Sequence, residues 1–231
     1  MKLLLCVHRL SDHQPLLDAI AQQSGQQLSP PPDPQSATYL FQTCYLQHEI
    51  EVCETGYGAF QSGYKLTKAL TRQRYHLVLS AALCHAYKPD LAPGTIVNVI
   101  KDKPGEWSYT ADTPADLYES GLLHRESFPH YHEAFINMNN SYMNVMLPFK
   151  KVVSLTTATY GEATHVDARR EKYKADIETR DGLSFVYACM YERQPFYQLC
   201  CVERNLATGE EDTAKALKTL NETLLDILQK L

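Results

Sequence analysis

From His76 to Leu83 the chain runs through a nearly unbroken apolar stretch, His-Leu-Val-Leu-Ser-Ala-Ala-Leu. A strand whose side chains are apolar in both directions must be covered on both faces, so it calls for helices above and below a sheet. The rest of the chain supplies them. Lys2 to Val7 is a short strand-like run, and Ser11 is expected to cap a helix carrying Leu16, Leu17, Ile20 and Ala21 at helical spacing. Strands are expected over Ala37 to Leu46 and Glu49 to Cys53. A helix should follow the turn Thr55-Gly56-Tyr57-Gly58, with Phe60, Tyr64, Thr67 and Leu70 on its inner face.

Further strands are read at Thr95 to Ile100, Val152 to Thr157 and Phe196 to Val202, and helices over Ala163 to Tyr173 and Asp181 to Arg193. A closing helix from Glu211 to Leu231 carries the stripe Leu217, Leu220, Leu224, Leu228 and Leu231, with acids in its first turn where the helix dipole favours them. The four prolines between Ser24 and Ser36 forbid helix and predict an extended exposed connector. Residues 101–144 are the least periodic and are expected to hold a lid, a subunit contact or both. The alternation predicts one α/β domain over 1–231, a three-layer α/β/α sandwich around a mixed sheet.

With 231 residues and 44% apolar content, the chain is long enough to bury one sizeable core. Its net charge of -5 carries no basic cluster, which argues against nucleic acid as a partner. Leu3 to Val7 is too short to span a bilayer or to serve as a signal peptide, so no membrane partner is expected. Seven scattered cysteines without a CxxC pair point to free thiols in a reducing cytoplasm. His130 and His132 lack the partners that would complete a metal site, so neither metal nor other cofactor is expected.

One segment goes further. Asp176-Ile177-Glu178-Thr179-Arg180-Asp181-Gly182-Leu183-Ser184-Phe185-Val186-Tyr187-Ala188-Cys189 resembles the nucleosidase signature D-V-E-S-M-E-G-A-A-F-x-Y-x-C without a gap. Thr55-Gly56-Tyr57-Gly58 is similar to the T-G-V-G turn of that family, and Pro93 to Val99 to its L-G-x-V-V-N-V run. Gln194 to Leu199 and Leu220 to Leu224 resemble the V-P-F-L-Q-I and L-N-x-T-L patterns of futalosine hydrolases. The matches span nearly the whole chain. They imply a nucleoside phosphorylase type fold with a partly barrel-like sheet, commonly a homodimer or larger homo-oligomer, and a nucleoside as small-molecule partner. The likeness to futalosine hydrolase further implies a place in menaquinone biosynthesis.

Breaking a C–N glycosidic bond places positive charge on the ribosyl ring and negative charge on the base, so carboxyl groups are needed on both sides. The resemblance puts Asp12 at the water-activating Glu and Asp181 at the ribose-binding Glu, each one methylene short. Arg180 replaces a Met beside sugar and base; it either pairs with Asp181 and blocks the site or meets an anionic ligand. An ungapped count from Phe196 puts Arg204 at the leaving-group acid, a role a guanidinium cannot fill by giving up a proton. A one-residue shift brings Glu203 or Asn205 there instead. Ala82 and His85 replace two glycines and should reshape the pocket, and Tyr160 is placed to stack on a base. Two readings follow: an N-glycosidic-bond hydrolase, or a binding or regulatory protein that kept the fold and lost the chemistry.

Overall fold

β4 (Leu77–Ala86) is the hub of the computed structural model, which describes residues 1–24, 40–46, 48–110, 113–139, 141–160 and 164–231. The strand lies parallel to β1 (Lys2–Val7) on one edge and to β11 (Phe196–Asn205) on the other. Beyond β1 follow β3 (His48–Glu54), parallel, and β2 (Leu40–Tyr45), antiparallel. Beyond β11 come β5 (Ile96–Pro104), antiparallel, then β9 (Lys150–Thr156) and β10 (Ile177–Thr179), both parallel to their neighbours. β10 also pairs antiparallel with the far end of β4, through Glu178 opposite His85, and so closes that side into a small barrel.

The two faces carry different helices, and β1 shows why. Leu3, Leu5 and Val7 face α1 (Gln14–Ser24) and α6 (Thr213–Lys230), packing with Leu16, Ile20, Leu220 and Leu224. The alternate residues Leu4 and Cys6 face α2 (Ala59–Arg72) and α5 (Gly182–Tyr191), with Leu66, Leu70, Phe185 and Cys189. Strand alternation thus feeds two cores from one segment. A third core fills the barrel with Cys84, Val97, Val99, Ile177 and Cys200. The mixed sheet, the helices on both faces and the partly barrel-like closure agree with the expected class. Cys6, Cys53, Cys84, Cys189, Cys200 and Cys201 are buried free thiols and serve as small hydrophobes.

Several local expectations are corrected. Leu10–His13 forms a 3-10 turn and α1 begins only at Gln14, so Ser11 does not cap it; the Ser11 hydroxyl donates to Asp12 at 3.3 Å. On α2 the inner face is Ser62, Leu66, Ala69 and Leu70, while Phe60 is 95% and Tyr64 62% exposed. Both stripes have helical spacing, and α5 selects between them: Leu66, Ala69 and Leu70 share a core with Phe185, Val186 and Cys189. On α6, Leu217 lines a cavity and Ala216, Asn221 and Ile227 join the buried stripe.

The aperiodic region holds a hairpin, β6 (Glu106–Thr110) and β7 (Thr113–Asp116), then β8 (Phe135–Ile136) on β5 and the short α3 (Met143–Met146). The helix expected from Ala163 is α4 (Val166–Tyr173). Most of the proline-rich connector, and the start of the strand expected from Ala37, lie outside the described residues. No described helix is long and apolar enough to cross a membrane.

Candidate functional site

A cavity of about 340 Å³ opens beyond the C-terminal end of β1, where the 3-10 turn, the Gly56–Gly58 turn, β4, β11 and α6 meet. Asp12 lines it. Its Oδ2 accepts hydrogen bonds from the Tyr57 hydroxyl at 3.2 Å and from Arg9 Nε at 3.3 Å. The turn is locked from behind: Asn221 of α6 donates to the Asp12 carbonyl at 3.0 Å and meets His13 Nδ1 at 2.7 Å. Burial lowers the pKa of this cavity-lining imidazole, His13, against the opposing pull of Asn221, which favours its neutral form.

Asp181 stands at the N-terminus of α5, in a second, smaller cavity that shares His8, Ala81 and Ala82 with the first. It is only 4% exposed. Oδ1 lies 3.0 Å from Nε2 of His8, while Oδ2 is buried with no hydrogen-bond partner. An unmatched buried carboxylate oxygen costs about 1–3 kcal/mol or more, which a ligand hydroxyl would relieve. Asp181 can sit this deep because Gly182 follows it. A Cβ at Gly182 would come within 2.3 Å of Gln198 Nε2 and 2.7 Å of Asp102 Oδ2.

Arg180 does not pair with its neighbour. Its guanidinium lies over the Tyr57 ring at 5.1 Å and over the Tyr160 ring at 4.6 Å, filling the gap between two aromatic faces at the cavity wall. Tyr160 in turn stacks on His85 with ring centroids 4.1 Å apart.

The strand after Phe196 resolves the register left open by the sequence. A bulge between Val202 and Arg204 turns Glu203 into the cavity and Arg204 out of it. The Arg204 expectation is therefore corrected in position: Arg204 bridges to Glu211, with Nε 3.6 Å from Oε2. Asn205 is buried and donates to the carbonyls of Lys88 and Leu91. Glu203 accepts from the Tyr160 hydroxyl at 2.9 Å and from Thr213 at 3.2 Å, and meets His85 Nε2 at 3.4 Å. Desolvation pushes its pKa up, but these three donors win and hold it below the usual glutamate value.

Asp12, Asp181, Arg180, Ala82 and Tyr160 thus converge on two adjoining cavities, with His85 directly behind. Sequence reasoning missed His8, His13, Arg9 and Tyr57 as lining groups. Their signal was position, directly after an apolar strand and inside a glycine turn. It also missed a fully buried ion pair behind the site, Arg169 Nη2 to Glu178 Oε2 at 3.1 Å. His130 and His132 are occupied by Tyr118 and Glu126.

The chain matches no protein-family model and no curated protein sequence. Its tertiary structure matches 5'-methylthioadenosine/S-adenosyl homocysteine nucleosidase of Campylobacter jejuni at TM-score 0.78 and 15% identity, covering all of both chains. The chain adopts the nucleosidase fold. A futalosine hydrolase mutant of Helicobacter pylori shows the same architecture at TM-score 0.76 and 15% identity, again over all of both chains. The Arabidopsis thaliana 5'-methylthioadenosine nucleosidase follows at TM-score 0.73 and 14% identity, over 99% of this chain and 93% of that one. Within the nucleosidase fold, the cavities sit where strand ends and helix starts bring polar groups together.

Proposed function

We propose that this chain binds a purine-type nucleoside and hydrolyses its N-glycosidic bond. The supporting observation is the placement of three carboxylates from three separate elements: Asp12 and Glu203 line the cavity of about 340 Å³, and Asp181 lines a pocket of about 10 Å³ beside it that shares His8, Ala81 and Ala82. About 340 Å³ falls in the range of small-molecule sites. Asp181 accepts from the ribose hydroxyls through its unmatched Oδ2. Asp12 orients and deprotonates water at C1′, helped by the Tyr57 hydroxyl that fixes its Oδ2. Tyr160 and Glu203 form the base side, where negative charge develops as the bond breaks. The division of labour parallels glycoside hydrolysis, with one carboxylate at the water and an acid at the leaving group.

A second reading has its own observation. The Arg180 guanidinium fills the gap between Tyr57 and Tyr160, where a planar base would lie. In a binding or regulatory protein that wedge stays, and the ligand is held without turnover. Release of free base from futalosine and from methylthioadenosine decides between them, with Asp12→Asn and Asp181→Asn as controls. Base release that vanishes in both variants supports hydrolysis. Ligand-dependent melting without base release supports the binding protein.

A homo-oligomer fits this reading. α2 and α5 lie side by side, and each exposes an aromatic pair one turn apart, Phe60 with Tyr64 and Tyr187 with Tyr191. Exposed aromatics on adjacent helices mark a contact surface for a second copy. Light scattering of the wild type against Phe60→Glu tests it: a dimer that becomes a monomer supports the contact.

A further inference from the structure

His85 is held between two carboxylates. Its Nδ1 lies 3.3 Å from Glu178 Oε1 and its Nε2 lies 3.4 Å from Glu203 Oε1. Glu178 is fully buried, bonded also by the Tyr87 hydroxyl and by Arg169 Nη2 at 3.1 Å. Arg169 is equally buried and also donates to Tyr87, Tyr109, Thr159 and the Thr164 carbonyl. The groups form a line through the protein: Arg169, Glu178, His85, Glu203, and then the cavity. Glu203 is the member of that line exposed to a ligand.

Charge decides the state of the middle residue. With His85 as an imidazolium the line alternates plus, minus, plus, minus and sums to zero. With His85 neutral, Arg169 and Glu178 still cancel each other, and the charge left over is that of Glu203 at the cavity. An imidazolium between the two glutamates gives each carboxylate a cation within 3.3–3.4 Å, which favours the charged ring. The other groups around His85 include one more cation, Arg180, which lines the same cavity as Glu203 but is separated from the imidazole by the Tyr160 ring. Tyr160 stacks on the ring from the loop after β9, with Arg180 on its far side. Cys84, next on β4, is packed in the barrel core, and Arg204, its neighbour on β11, is drawn away by Glu211.

We infer that His85 is the proton-supplying and positioning residue for Glu203, so that the leaving base is protonated by a His85–Glu203 pair. This rests on the hydrolytic reading above. His85 Nε2 passes its proton to Glu203, and Glu203 passes a proton to the base nitrogen as that atom takes the electron pair of the breaking C1′–N bond. Water adds to C1′ and gives its proton to Asp12. His85, left neutral, and Asp12, left protonated, exchange protons with solvent once the base has gone. The direction of the His85 shift agrees: burial lowers its pKa, but the bonds and charges of Glu178 and Glu203 outweigh burial and raise it.

Two measurements test the inference. NMR titration of the full chain with labelled histidine should show His85 titrating above the free range of about 6.5, and moving down in Glu178→Gln. His85→Gln keeps a donor for Glu203 but no titratable proton. It should lower kcat for base release on the order of a hundredfold with little change in KM, and remove the alkaline fall of the pH profile. Melting curves establish that both variants fold. A His85 that titrates at or below 6.5, or a His85→Gln enzyme with normal kcat and pH profile, overturns the proposal. If the wild type releases no base although His85 titrates high, hydrolysis and proton supply both fall, while the charged clamp between the carboxylates stands.

Discussion

Nε2 of His8 lies 3.0 Å from Oδ1 of Asp181, tying the residue after the first strand to the start of a helix 173 positions away. That contact holds one carboxylate oxygen and leaves the other unmatched and buried. Asp181→Asn puts an amide where two acceptors stood, so ribose binding should weaken by roughly tenfold or more, in line with about 1.5–3 kcal/mol for hydrogen bonds to a charged group. Calorimetric titration with a nucleoside checks this. Unchanged affinity would remove Asp181 from the sugar site.

Asp12 is fixed by Tyr57 and Arg9 rather than by burial. Asp12→Asn keeps the shape and removes the base, so kcat for base release should fall about 10²–10⁴-fold while nucleoside binding persists. Tyr57→Phe removes one anchor of the same oxygen and should give a smaller loss. A larger loss from Tyr57→Phe than from Asp12→Asn contradicts the assignment.

The Arg180 guanidinium must leave its place between Tyr57 and Tyr160 before a base can stack there. Two cation–π contacts at an accessible site are together worth about 1–2 kcal/mol. Arg180→Met should therefore tighten binding of a neutral nucleoside by about tenfold. Fluorescence or calorimetric titration of both proteins reads the change; weaker binding in Arg180→Met would mean that the guanidinium contacts the ligand.

Burial pushes the carboxyl of Asp102 up to about 7, despite hydrogen bonds from Thr156 and Gln198 that act the other way. The charged form is therefore the one the fold disfavours. Its cost is absent below the unfolded value of about 3.9, grows as pH rises to about 7, and is constant above. Asp102→Asn should melt higher than wild type at pH 8, by a margin on the order of a few kcal/mol, and the advantage should vanish near pH 4. Gln198 can accommodate the amide, since its Oε1 has no partner and can turn to accept. Thermal melts at the two pH values decide the matter; an equal difference at both would place the charge elsewhere.

Much of the architecture was legible in the chain itself. Lys2 to Val7 read as a short strand, and His76 to Leu83, apolar in both directions, as a strand covered on both faces. The Asp176 to Cys189 segment placed Asp181 and Arg180 beside one another at a helix start, and the turn before α1 placed Asp12 near the end of β1. These are local facts, set by periodicity and motif.

What only the tertiary structure decided is how competing local options were resolved. α2 carries two stripes of equal periodicity, and packing against α5 chose Ser62, Leu66 and Ala69 over Phe60 and Tyr64. A bulge in β11, which no spacing rule announces, exchanged Glu203 for Arg204 at the cavity. The line from Arg169 through Glu178 and His85 to Glu203 draws on a helix and three strands far apart in sequence. Sequence determines which groups a segment offers. Burial and charge balance among segments that meet only in the folded chain determine which of them face a ligand.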